Sequence, residues 1–418
     1  MHQSKGSSAN CQGAFLHICA ALADRTIVHR RMKTFRKHPG KQVAKLMLRR
    51  NDRWLSLLWL TAGLALADSP DENFQAVLDG AVRLGIPAVS ASVVWDDHTW
   101  AGAAGVVSAA AGGSLNANSR YRLASITKLF TATVILQLVD ERQLSLDDTL
   151  AKKLPNPPPG ELAYADTITI SMLLDHTSGV RSFTDISGFW REAYGNRGLD
   201  RIWRPAELID FALLEKPYFE PRDPGQRHYS NSNYVLLGMI IERTTGQTLA
   251  ENYRSRIFRP LGLTHTILEG FEPGMHLVQH SFHKAGFAER LVAKRRGWVK
   301  APQKGVYDLG ASYQQYNSWG WAAGGLSSNT ADLNLFLDAL RGEKLLSRSS
   351  REVLLRNNSA TVDAGVVFGG SGGWDGISTS AYDLNGEAKF IVLLNGTGFG
   401  VSADDLLGQL FQVFINKK

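Results

Sequence analysis

Cysteine is all but missing: the 418 residues contain two, Cys11 and Cys19. From residue 20 onward no thiol is available for a disulfide, a cysteine-ligated zinc or a cysteine nucleophile. A bilayer-spanning run is missing too, since the apolar stretch Trp54–Ala67 is fourteen residues long and a spanning helix needs about 20. No histidine follows His283, which removes any catalytic order ending in a late histidine. No internal repeat is found. With 44% apolar residues, 40 Gly and 14 Pro, the composition excludes collagen-like, coiled-coil and largely disordered chains.

A formal charge of +7 invites nucleic acid or an anionic membrane as partner, but the charge is uneven. Residues 1–67 hold 12 Lys/Arg against Asp24 and Asp52, a net +10, which leaves residues 68–418 at −3. From Met47 the chain shows a basic start (Arg49, Arg50, Arg53), the apolar run and the small-residue ending Ala65-Leu66-Ala67. This is the pattern of a secretory signal cleaved before Asp68. The expectation is therefore a basic extension over 1–46, with Met32 a second candidate start, a signal peptide over 47–67, and an exported, periplasmic or secreted body over 68–418. No nucleic acid partner and no membrane span after signal removal are expected.

Two hairpins stand out in the body. Ala88–Trp95 and Thr99–Val107 flank Asp96-Asp97-His98, and Gly376–Asp383 and Glu387–Leu394 flank Leu384-Asn385-Gly386, where Asn-Gly is a strong turn signal. A last helix is predicted over 402–414. Between these ends, Thr127–Glu141, Ile168–Leu174, Pro205–Leu214, Tyr234–Thr244 and Thr330–Leu340 carry apolar residues at helical spacing. Strands at both ends with helices between predict an α+β fold. One antiparallel sheet is built from both chain ends (about 74–140 and 365–418), with a mainly helical region inserted over about 141–364. Residues 276–320, rich in His, Lys, Arg, Gln and Tyr, show no clear period and read as a loop or subdomain excursion, with a substrate-shaping lid as the alternative.

Three short patterns carry chemistry. Ser125-Ile-Thr-Lys128 precedes a long apolar helix, so the lysine lies one turn from the serine on one face and the serine N–H falls in the helix's unpaired first turn. A serine needs a base, and lysine, at a reference pKa near 10.4, serves only if burial or a neighbouring cation lowers it. Ser281-Phe-His-Lys284 matches the same pattern without the helix, which favours Ser125. Tyr229-Ser-Asn231 offers a phenol to relay a proton and an amide to hold a substrate, although Tyr194-Gly-Asn196 repeats the spacing. Gly369-Gly370-Ser371-Gly372-Gly373-Trp374-Asp375-Gly376 offers bare edge-strand backbone to a ligand. It also fits the Gly-x-Ser-x-Gly elbow, but that order requires a later histidine and none exists. A Ser125–His176 triad is not excluded by order, yet Leu173-Leu-Asp-His176-Thr-Ser-Gly179 reads as a helix end stopped by Gly179.

Together, Tyr121-Arg-Leu-Ala-Ser125-Ile-Thr-Lys128, Leu173–Gly179, Tyr229-Ser-Asn231, Ala323-Gly-Gly-Leu-Ser-Ser328 and Gly372-Gly-Trp374-Asp-Gly376, in this order, resemble the serine β-lactamase and penicillin-binding-protein superfamily. The closest branch is that of class C β-lactamases, D,D-carboxypeptidases and family VIII carboxylesterases. The resemblance covers most of residues 74–416 and implies a β-lactamase/transpeptidase-like fold and a cofactor-free, metal-free serine hydrolase. It implies Ser125 as nucleophile, Lys128 and Tyr229 as the base system, and Asn231, Gly370, Ser371 and Gly372 as substrate-binding positions. The oxyanion hole would be formed by the backbone N–H groups of Ser125 and Gly373. The expected substrate is an ester, amide, D-amino-acid peptide or β-lactam. One departure matters: the third motif normally opens with Lys or His, and here that position is Gly370, with Arg181 or Lys389 as candidate substitutes. The alternative is a catalytically silent module that binds peptidoglycan fragments or a protein partner.

Overall fold

The computed structural model describes residues 69–106, 115–155, 162–221, 223, 225–274, 278–362 and 365–417. The extension and signal expected over 1–67 lie outside them, as does Val107. Ser69 opens the first helix, α1 (Pro70–Arg83), by accepting the Glu72 N–H, and Pro70 sits where a missing N–H costs nothing. The hairpin β1 (Ala88–Trp95) and β2 (His98–Gly105) follows, its turn tightened by Asp96 at φ +46°.

The middle of the chain supplies α2 (Thr127–Asp140), α3 (Pro205–Ala212), α4 (Asn231–Thr245), the short α5 (Phe287–Ala293), α6 (Thr330–Arg341) and α7 (Arg348–Asn358). The chain then returns as β3 (Ser359–Val362), β4 (Gly365–Trp374), β5 (Ile377–Leu384) and β6 (Ala388–Leu394), and closes with α8 (Ala403–Lys417). The six strands form one antiparallel sheet in the order β2-β1-β6-β5-β4-β3. The two chain ends meet where β1 pairs with β6, Val93 opposite Phe390. The expected shared sheet is what the chain forms.

Strand alternation explains why the sheet is buried on both sides. Phe390, Val392 and Leu394 face α1 and α8 with Phe74, Leu78, Leu407 and Phe411. Ile391 and Leu393 face the other core, which contains α2, α4 and α6, and there Phe130 stacks on Phe336 at 3.6 Å. That second face carries the site.

One local expectation is sharpened and one needs correction. Residues 276–320 hold more than loop: Phe282–Lys284, Val299–Lys300 and Val306–Asp308 form a small sheet with Gly396–Thr397, its strands too short for alternation to show in the sequence. The helix before His176 spans only Ile170–Leu174. His176 itself takes the left-handed turn at φ +66°, while Gly179, at φ +72°, makes a later turn against the Phe219 carbonyl.

Candidate active site

Ser125 lies in a 3-10 turn, Ala124–Ile126, that feeds directly into α2. Ala124 holds φ +45°, a conformation that costs a non-glycine residue about 1–3 kcal/mol and persists only where the surroundings impose it. Here they do. Leu123 N–H donates to the Leu326 carbonyl at 2.8 Å, and its own carbonyl accepts the Thr379 hydroxyl of β5 at 2.9 Å. The turn is thereby clamped against the sheet.

Lys128 is 6% exposed, and burial holds its pKa well below the ordinary lysine value. Its Nζ lies 2.8 Å from Asn231 Oδ1, 2.7 Å from the Ala323 carbonyl and 3.2 Å from Ser125 Oγ. Two of these three neighbours are carbonyl oxygens that only accept. A neutral amine has two N–H groups, enough for both carbonyls, and in that form its lone pair can face Ser125 Oγ. Ser125 Oγ also lies 2.7 Å from the Tyr229 hydroxyl. The serine thus sits between a buried amine and a phenol.

The N-terminus of α4 places Tyr229 and Asn231. The apolar period predicts a helix from Tyr234, but the helix begins three residues earlier, at Asn231, because its polar first turn is held by side chains. Asn231 N–H donates to Ser182 Oγ and its Nδ2 to Thr184 Oγ1, both at 3.0 Å. One of the two Nδ2–H groups is therefore committed and the other remains for a substrate. His176 supports Tyr229 from beneath, ring centroids 4.5 Å apart. Its Nδ1 accepts the Ser230 N–H at 3.2 Å, and burial pushes its pKa well below the usual value. It is a neutral shelf for the tyrosine; the side-chain partners of Ser125 are Tyr229 and Lys128. Gly238 in α4 completes the arrangement: a Cβ there would come within 2.7 Å of Trp321 and Ala322, and this close approach lets the Ala323 carbonyl reach Lys128.

The glycine-rich strand β4 runs past the same turn. A Cβ on Gly372 would lie 2.5 Å from the Leu123 carbonyl and 2.7 Å from the Ser125 nitrogen, so only glycine lets the strand and the Ser125 turn touch. Gly370 points to the same face but meets only Leu129, at 3.9 Å. Ser371 corrects an expectation: strand alternation turns its hydroxyl to the opposite face, 3.4 Å from the Tyr382 hydroxyl and hydrogen-bonded to Asp404. Its side chain does not line the cleft. Nor do the two candidate replacement cations stand at Gly370. Lys389 is paired with Asp338, and Arg181 lies over the Tyr218 ring at 4.1 Å with Glu215 at 3.5 Å.

The decoy motifs separate cleanly. Ser281 accepts from Arg122, and Lys284 ends a short strand. Tyr194 donates to Asp375 at 3.2 Å. Sequence reasoning missed Ser182 and Thr184, which orient Asn231, because isolated hydroxyls carry no pattern. It also missed an aromatic wall beside Gly373. Trp374 stacks on Trp190 at 4.1 Å and 14° and meets Trp319 edge-on at 5.1 Å, while Trp190 Nε1 donates to the Thr184 carbonyl at 2.7 Å.

Comparison with known proteins identifies a family and several relatives. Residues 71–402 match the family described as Beta-lactamase. Penicillin-binding protein 4* of Bacillus subtilis is 28% identical over 67% of this chain and 61% of its own length. Penicillin-binding protein 4 of Amycolatopsis lactamdurans is 34% identical over 43% of this chain and 44% of its own. The chain thus spans about half to three-fifths of these curated relatives. Among solved structures, a D-stereospecific amidohydrolase from Streptomyces sp. superposes with TM-score 0.67 at 29% identity, covering 81% of this chain and 98% of that one. D-amino acid amidase from Ochrobactrum anthropi SV3, solved with L-phenylalanine amide, superposes with TM-score 0.69 at 22% identity over 84% and 99% and shares the fold. The chain belongs to the Beta-lactamase family, within the serine β-lactamase and penicillin-binding-protein superfamily of serine hydrolases.

Proposed function

We propose that this protein is an exported serine hydrolase that cleaves esters or amides, D-amino-acid derivatives among them, through an acyl-Ser125 intermediate. The observation that carries this is the buried Lys128 amine, whose Nζ lies 2.8 and 2.7 Å from two carbonyl oxygens and 3.2 Å from Ser125 Oγ. Lys128 takes the serine proton as Oγ attacks the carbonyl carbon. The tetrahedral oxyanion is held by the N–H groups of Ser125 and Gly373. Tyr229, 2.7 Å from Ser125 Oγ, passes a proton to the leaving oxygen or nitrogen and is reprotonated from Lys128. The acyl-ester forms as the leaving group departs, and a water deprotonated by the same pair then releases the acid and restores Ser125.

Support for the oxyanion assignment comes from β4, whose pairing with β3 ends at Phe368, so that its 369–374 backbone runs as an edge beside the nucleophile turn. Removing one such donor costs about 3 kcal/mol of transition-state stabilisation. With no cation at Gly370, substrates without a carboxylate are favoured over β-lactams. Similarity to the D-stereospecific amidohydrolase supports an amide among the substrates, and the Arg49–Ala67 segment supports export. A fluorophosphonate label with mass spectrometry of the adducted peptide tests the mechanism. Adduct on Ser125, lost in Ser125→Ala, is expected; folded protein without adduct would favour the silent binding module.

A further inference from the structure

We propose that α5 and the loops flanking it form a docking surface for a lipid bilayer rich in anionic phospholipid. Residues 284–304 carry seven Lys/Arg against one acid, Glu289, a net +6 concentrated in a body that is otherwise acidic. Glu289, already counted in that net charge, is held by His283 at 3.2 Å and by the Gly286 N–H. Helix α5 is also inverted relative to an ordinary surface helix. Phe287 and Leu291 are 75% and 68% exposed, whereas Ala293 is its buried contact. Positions four apart share a face, so the two large apolar side chains form one exposed patch, with Arg290, Lys294 and Arg295 exposed around it.

Apolar side chains at the centre and long flexible cations at the rim match the headgroup and acyl boundary of a bilayer. Each cation adds attraction to an anionic leaflet. Mobile headgroups can meet cations in no fixed geometry, which a folded acidic partner would have to match one by one. The surface also adjoins the site. A groove lined by Trp190, Arg191, Tyr194, Val292, Arg295 and Arg296 joins it to the Trp190–Trp374 wall beside Gly373. Docking would hold the mouth of the cleft at the membrane face.

The test uses the full chain carrying Cys11→Ser and Cys19→Ser, with an environment-sensitive fluorophore attached through Ala288→Cys. Vesicles of phosphatidylglycerol and phosphatidylcholine in equal parts should shift its emission to the blue, and pure phosphatidylcholine should not. Phe287→Ser with Leu291→Ser should weaken the apparent partitioning at least tenfold, and Lys294→Glu with Arg295→Glu should do the same and reduce its salt dependence. All variants should keep the parent's unfolding midpoint. Sedimentation with vesicles but no shift at position 288 would assign binding to the leader and overturn the proposal. An equal shift with pure phosphatidylcholine, or one indifferent to Phe287 and Leu291, would overturn it too.

Discussion

Replacing Gly370 with lysine tests why this cleft should prefer uncharged substrates. A Cβ at Gly370 meets only Leu129, at 3.9 Å, and the backbone there needs no positive φ, so the substitution is sterically allowed. The new side chain would rise on the face that carries Ser125. A charge-assisted hydrogen bond to a substrate carboxylate is worth up to about 3 kcal/mol, against roughly 1.5–2 kcal/mol for ordering a lysine side chain. The net gain is about 1 kcal/mol, or roughly fivefold in a rate constant. The assay is kcat/KM for a chromogenic cephalosporin and for a small uncharged ester in the wild type and Gly370→Lys. The cephalosporin value should rise about fivefold while the ester value changes by less than about twofold. The control is Gly372→Ala, whose Cβ would lie 2.5 Å from the Leu123 carbonyl and should depress both activities together. A cephalosporin already preferred by the wild type, or an equal rise in both substrates, would refute the reasoning.

Further outcomes follow from two buried titratable groups. Burial lowers the Lys128 pKa, so ester kcat/KM should climb with pH through that lowered value and then level. Lys128→Arg, which keeps the charge but has no lone pair, should lose about 10²–10⁴-fold. The unfolded chain keeps this proton up to about pH 10.5, so wild-type stability in urea should rise with pH across that window and Lys128→Met should lose the rise. Asp404, at the start of α8, has its carboxyl pushed up from 3.8 to about 7 by burial. The folded state holds a proton that the unfolded state has released, so this group's contribution is present at low pH and is lost as pH rises from 3.8 to 7. At about 1.36 kcal/mol per pH unit the loss approaches roughly 4 kcal/mol. Asp404→Asn should remove that decline, and parallel wild-type and mutant urea curves across pH 4–8 would contradict it.

The hairpins and major helices were legible because they rest on turn chemistry and periodicity within a few residues of each other. Asn385-Gly386 marks its turn through Asn385 and Gly386 at φ +52° and +79°. The motif order from Ser125 to Gly376 likewise placed the chain in its family without coordinates. Helix α1 was not predicted although Ser69-Pro70 marks its start, and α7 was not because its composition is largely polar. The two- and three-residue strands within 276–320 were hidden because alternation needs length to show.

The sequence by itself determined which residues could do the chemistry: a serine with a lysine one turn on, a tyrosine and an asparagine ahead of a helix, and a glycine strand without a cation. Residue type and spacing suffice for that. Tertiary structure alone decided that Lys128 is dry and faces two carbonyl oxygens, that Ser371 looks away from the cleft, that His176 is a shelf and no base, and that α5 turns Phe287 and Leu291 outward. Each depends on what a side chain meets across more than fifty residues of chain or on which face a strand presents, and burial and facing are properties of the packed molecule.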